Sequence, residues 1–185
     1  MHSGYPMMTW LDVADSVVNG ERLQGEGSWG HYHEIGHNHQ QGDWTFDGTG
    51  EVTNNLFTLY CFDKLNGERP RDRQFSPDDC LKRFRAYSKA PSFDKWKDDP
   101  FLALTMYAQL QNEFGWDAFK RVFKTYQNLK VHPKNDSEKR DMWMTTFSTV
   151  VGKNLGPFFD KWHVPVSAAA KAQIAHLPGW MPEGM

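Results

Sequence analysis

Residues 28–55 contain side chains whose types and spacing can build a hydrolytic metal centre. His33 and His37 lie four positions apart, so on a helix from Gly30 to Gln41 both imidazoles converge on one small cation. Glu34 projects about 100° around that helix from His33, away from the ligand face but toward a metal-bound water, as a general base must. Zinc lowers the pKa of a bound water from about 15.7 to roughly 7. With Glu34 taking the proton, the hydroxide attacks a carbonyl and an amide bond is cut. A catalytic zinc takes three protein ligands plus water, and Glu51 is the best third ligand. It follows a turn rich in Gly, Asp and Thr and opens an apolar-periodic stretch through Val52, Leu56, Leu59 and Tyr60, which predicts a second helix packed on the first. Asn55, four residues after Glu51, shares its face and offers an oxygen to the free ring N–H of a zinc-bound histidine.

The elements that must position these groups read as follows. Ser28 is a helix-cap signal before the first zinc helix. His31 and His39 are each two residues from a ligand, hence on other faces, and are expected at the surface or behind the ligands.

The run Gly27-Ser28-Trp29-Gly30-His31-Tyr32-His33-Glu34-Ile35-Gly36-His37-Asn38-His39-Gln40, then Gly50-Glu51-Val52-Thr53-Asn54-Asn55-Leu56-Phe57-Thr58-Leu59-Tyr60, resembles the enhancin-like, mucin-degrading zinc peptidases, peptidase family M60 of the gluzincin type. Phe114-Gly115-Trp116, Phe147-Ser148, Gly152-Lys153-Asn154-Leu155 and Phe158-Phe159-Asp160-Lys161-Trp162 extend the similarity from about residue 3 to about residue 166. The resemblance implies His33, His37 and Glu51 as Zn2+ ligands and Glu34 as the catalytic base. It also implies secreted or cell-surface proteases that cut O-glycosylated, mucin-like glycoproteins.

At 185 residues, 39% hydrophobic and 15% aromatic, the chain reads as one globular domain with material for a core. A net charge of −2 gives no reason to expect nucleic acid or an anionic membrane as partner. No apolar run reaches the roughly 18 residues of a membrane span, and the first residues lack the basic-then-apolar order of a signal peptide. Cys61 and Cys80 match no metal spacing and read as ordinary thiols. Oligomeric state is not legible.

Met7 to Trp10 is β-capable, Asp12 to Val18 a short helix or turn, and Asn19 to Gly27 a polar loop. A lone strand cannot supply the sheet that zinc peptidases use to hold substrate, so the chain is expected to be the helical C-terminal part of a zincin-like catalytic domain. Asn66 to Gln74 reads as a charged loop, and Ser76-Pro77-Asp78-Asp79 as a strong helix start. Ala90 to Asp99 reads as a connector. Helices are predicted from Pro100 to about Gly115, Trp116 to Leu129, Ser137 to Val151, Pro157 to Trp162 and Ser167 to Ala175, with a loose tail from Leu177 to Met185. The fold class is mainly α, or α+β if the N-terminal strand pairs.

Further site candidates are Tyr5, Tyr126 and His132 as oxyanion donors, with Tyr5 also at the substrate. Trp44, and less so Trp29, could stack on a sugar; Arg140 and Asp141 could bind its hydroxyls, although a solvated helix start accounts for them better. Two alternatives remain: a non-catalytic peptidase-like binding module of the kind found in channel-associated vertebrate proteins, or a truncated, inactive catalytic half. An aminopeptidase would need an acidic anchor for the free amine, and no such motif is apparent.

Overall fold

The computed structural model describes residues 1–67 and 75–185. Most of the charged loop expected over Asn66 to Gln74 therefore lies outside the described residues. The chain divides into two compact units, Met1–Gln40 with Glu51–Gln74, and Gln41–Gly50 with Phe75–Met185. Mainly α is the class observed: among the described residues there is no named strand, only the isolated bridges His2 to Met8 and Asn154 to Gly179.

In the first unit a 3-10 turn, Leu11–Val13, leads into α1 (Asp15–Val18), α2 (Gly20–Glu26) and α3 (Trp29–His39). The stretch predicted as a polar loop is thus mostly helix α2. Asn19 caps it by accepting the Arg22 N–H, Arg22 pairs with Glu26 one turn on at 3.2 Å, and Gly27 ends it at φ 68°. The N-terminal strand is reduced to the single Met8 bridge to His2, because the chain reverses between them at Gly4 to Pro6, where proline has no N–H to pair. Helix α4 (Gly50–Cys61) buries Val52, Leu56 and Leu59 and runs into a π-helical turn, Phe62–Asn66. Phe62 packs edge-on against Tyr32 of α3 at 5.1 Å, and Asn66 donates to the Leu23 and Gln24 carbonyls of α2.

The second unit begins with the turn at residues 41–50. Helix α5 (Pro77–Tyr87) starts on a capping box between Ser76 and Asp79. Helix α6 (Phe93–Asp98), capped by Ser92, occupies what reads as a connector; its apolar residues, Phe93 and Trp96, are too few to show a period. Helix α7 (Pro100–Gln127) is two helices meeting at Gly115, whose φ of 70° breaks the first where the sequence places its end. Helix α8 (Asp136–Val151) stops at left-handed Gly152, and α9 (Gly156–Lys161) and α10 (Ala168–Gln173) follow. Trp143 of α8 lies against Tyr107, Phe119 and Phe147 at ring separations of 5.4, 6.3 and 5.8 Å.

The C-terminal segment differs from the loose tail expected of it. The Asn154 N–H donates to the Pro178 carbonyl and the Trp180 N–H to the Asn154 carbonyl, and the Trp180 ring packs on Phe114 and Phe158 at 4.9 and 5.1 Å. The ring contacts of half-buried Trp180 and its backbone pairing outweigh the local prolines and glycines.

Candidate metal centre

The site lies within the first unit, between α3 and α4. Gly36 sets their approach: a Cβ there would stand 2.7 Å from the Asn54 carbonyl oxygen and 3.0 Å from its Cα. Only a residue without a side chain permits that contact. His33 and His37 then face Glu51 across the seam, with His33 Nε2 3.1 Å and His37 Nε2 3.6 Å from Glu51 Oε2. All three ligand atoms lie within 4.8 Å of one another.

The two histidine-to-glutamate separations suit one small tetrahedral cation. Two ligand atoms each about 2.1 Å from one ion stand about 3.4 Å apart, and 3.1 and 3.6 Å bracket that value. The donor set fits as well: two imidazole nitrogens and a carboxylate oxygen bring electron pairs, not protons, to one point.

Hydrogen bonds on the far side of each ring fix this. His33 Nδ1 lies 2.8 Å from Asn55 Oδ1, and His37 Nδ1 lies 2.8 Å from Gln40 Oε1, while Gln40 Nε2 donates to Thr53 Oγ1. Amide oxygens accept only, so both rings carry their proton on Nδ1 and keep the Nε2 lone pair inward. The side chains of His33, His37 and Glu51 are 21%, 23% and 54% exposed, so the set opens to solvent on the Glu51 side. Glu34 follows His33 on α3 and is half-buried.

Asn54 reaches the same atoms from within α4. It is wholly buried, and its Nδ2 lies 2.8 Å from His37 Nε2, 3.4 Å from Glu51 Oε2, and 3.0 and 3.3 Å from Nε2 and Nδ1 of His33, beside that ring rather than in line with its Nε2 lone pair. Sequence reasoning passed over Asn54, Gln40 and Gly36. The available signal for Asn54 was its place one turn beyond Glu51, on the ligand face.

The remaining candidates have other partners. His31 is buried between Ser28 Oγ and Thr9 Oγ1, at 2.6 and 3.2 Å, and burial pushes its pKa down. Ser28 therefore spends its hydroxyl on His31 and makes no side-chain cap on α3. His39 stands edge-on to Phe57. Trp29 is half-buried and tilted on Phe62 at 6.1 Å. Trp44, expected to be able to stack on a sugar, is instead 2% exposed against Phe123 and Tyr126, so it has no face to offer. Tyr126 is likewise core, its phenol pushed far up by burial. His132 pairs with Asp43 at 2.7 Å. Arg140 donates to the Pro165 carbonyl, and Asp141 accepts the Ser167 N–H. Tyr5 is 99% exposed. Cys61 and Cys80 are free thiols.

The profile of the family described as Peptidase M60, enhancin and enhancin-like, matches residues 1–163. The chain belongs to that family. This M60 chain is 38% identical to the TRPM8 channel-associated factor homolog of Danio rerio and 37% identical to TRPM8 channel-associated factor 1 of Homo sapiens. In both, 97% of the chain is covered, but it spans only 20% of the relative's length. A functionally unknown conserved protein from Bacillus anthracis is similar in structure, with a TM-score of 0.74 and 33% identity over 90% of this chain and 34% of that one. The IMPa metallopeptidase from Pseudomonas aeruginosa has a TM-score of 0.60 at 20% identity over 83% of this chain and 23% of its own, a likeness of fold alone. Membership of a peptidase family and the convergent His33, His37 and Glu51 point to a metal ion as the occupant. Among the described residues no helix is long and apolar enough to cross a membrane.

Proposed function

We propose that the seam between α3 and α4 is a zinc centre for peptide-bond hydrolysis, and that this M60 chain is the metal-binding helical part of a zinc endopeptidase. The observation that carries the reading is the convergence of His33 Nε2, His37 Nε2 and Glu51 Oε2 with both rings held as Nδ1–H tautomers. Bound by these three, zinc supplies Lewis-acid polarisation of a carbonyl and acidification of a water. The chain's residues do the rest. Asn55 and Gln40 orient the imidazoles, and Glu34, off the ligand face, accepts the proton of the attacking water at a carboxylate oxygen and returns it to the leaving amine.

The substrate class, O-glycosylated mucin-like protein met outside the cell, rests on family resemblance alone. Trp44 in the core removes one residue that would have supported it. A second reading has direct support from relatives: those at 37–38% identity are named for association with the TRPM8 channel, not for proteolysis. On that reading the module binds a partner, and the metal centre serves the fold.

A paired assay of wild type and Glu34→Gln separates them. Zinc content is measured in both, with cleavage of a mucin in glycosylated and deglycosylated form. One zinc in each and cleavage of the glycosylated form by wild type alone establishes the peptidase. One zinc in each with no cleavage by either, also in a longer chain, moves the weight to the binding module. Wild type or Glu51→Ala settles the ligands: full zinc content in the latter sinks the assignment of Glu51.

A further inference from the structure

The turn that joins the two ligand-bearing helices is not part of their unit. Gln41–Gly50 belongs to the second unit, although its ends run directly into α3 and α4. Within the second unit the turn is held at several points. The Phe46 ring, 3% exposed, stacks on the buried Trp96 of α6 at 6.1 Å and 11°. The Asp47 N–H donates to Asp136 Oδ1 at 3.1 Å, Lys97 pairs with Asp47 at 3.3 Å, and Lys139 donates to the Thr45 carbonyl at 3.0 Å. Gly48, at φ 85°, comes so close to α6 that a Cβ would stand 2.6 Å from the Lys97 Cα. Glycine alone allows both that angle and that approach. From Phe46 to the metal centre the chain is short and braced. Buried Thr49 gives both its N–H and its hydroxyl to the Phe46 carbonyl, at 2.9 and 2.6 Å, and Glu51 follows two positions on.

Resting on the zinc-centre reading above, we propose that Phe46 is a positioning residue for Glu51. By seating the turn in the core of the second unit it fixes where α4 starts, and with it the place of the third ligand. Glu51 depends on such support more than the histidines do. His33 and His37 have Asn55 and Gln40 behind their rings, whereas the Glu51 side chain is 54% exposed and stands in the first turn of α4. Helix ends fray. A loose turn would let Glu51 sample many places, and metal binding would then have to order it against its conformational entropy. A seated turn does that ordering in advance.

The test sets Phe46→Ala beside Phe158→Ala in the full chain. Both truncate a buried ring of the second unit, but Phe158 packs on Phe159 and Trp180, away from the turn. Melting temperature without added metal reads the packing. The zinc dissociation constant, measured by competition with a chromophoric chelator well below either melting point, reads the site. Both variants should melt lower than wild type. Phe46→Ala alone should weaken zinc binding, by about tenfold as for a residue that orients a ligand, and Phe46→Leu should restore most of it. In a Glu51→Ala background the same truncation should change zinc binding by less than about twofold, because the ligand it positions is gone. Should Phe46→Ala not fold, Phe46→Val is read in the same way. Unchanged zinc affinity in the folded variant, an equal loss in Phe158→Ala, or a loss that persists undiminished without Glu51 overturns the positioning role. A wild type that binds no zinc overturns the zinc centre itself, and the positioning role with it.

Discussion

Two helix pairs in this chain bury their contacts in opposite ways. Helix α4 turns Thr53, Asn54, Asn55 and Thr58 into the interior at 0–2% exposure, whereas α7 and α8 fill theirs with Tyr107, Phe119, Trp143 and Phe147. Burying an amide costs free energy unless every donor and acceptor is matched, and burying an aromatic ring does not. The α7–α8 interior asks mainly for volume, the buried Tyr107 hydroxyl aside, and holds its rings at angles from 27° to 75°. The α4 seam asks for direction, and its direction is spent on the two rings: Asn55 on His33, Asn54 on His37. A polar interior is a poor way to stabilise a helix pair and a good way to aim side chains, which is why the chemistry belongs to the first unit.

The largest effect expected from breaking this contrast lies on the aromatic side. Trp143 is 1% exposed among the rings of Tyr107, Phe119, Phe123, Tyr126 and Phe147, and its truncation leaves a void that packed neighbours cannot close. Trp143→Ala should cost about 3–5 kcal/mol, read as a lowered urea midpoint with an unchanged slope. A loss under about 1 kcal/mol would show that this core re-collapses and that the contrast with the α4 seam is overstated.

Next comes the glycine that lets the polar seam close. In an exposed helix, alanine in place of glycine stabilises by about 1 kcal/mol, and Gly50, the first residue of α4 with open space at its Cβ position, should behave in that direction. Gly36→Ala should do the reverse. Its methyl would meet the Asn54 carbonyl at 2.7 Å, and overpacking of this kind costs about 1–3 kcal/mol. Because the clash pushes apart the helices that carry His33, His37 and Glu51, zinc content should fall with stability. Opposite signs for the two glycines in thermal melts are the expected outcome; a stabilised, zinc-replete Gly36→Ala protein would mean the close approach is not needed.

How much was legible follows the same division. Helix starts announced by local chemistry, Ser76-Pro77 and Asp99-Pro100, stand where the sequence places them, because a cap needs only its own neighbours. The ligand spacing is equally local, and His33, His37 and Glu51 converge. What was missed depends on partners distant in sequence. The ring of Trp44 is claimed by Phe123 and Tyr126, some eighty residues on, and that of Trp180 by Phe114 and Phe158. Helix α2 was hidden by its two glycines, and becomes visible only when Asn66 is seen bonded to its carbonyls. At the site, Gly36 and Asn54 each looked like filler until the helix pair set one against the other.

The finest test compares the two amides that hold the imidazoles. Each accepts the Nδ1 proton at 2.8 Å, but Asn55 is 2% exposed within α4, whereas Gln40 follows the end of α3 and is half-buried. Residues that orient a metal-bound histidine are worth about 10–100-fold in affinity. Water can replace an exposed acceptor at little cost but cannot reach a sealed one. Asn55→Ala should therefore weaken zinc binding toward about 100-fold, and Gln40→Ala only about tenfold, read by competition with a chromophoric chelator. Should Gln40→Ala prove the more damaging, the orientation of His37 rather than His33 limits the site, and the loop after α3, not the interior of α4, is where its affinity is set.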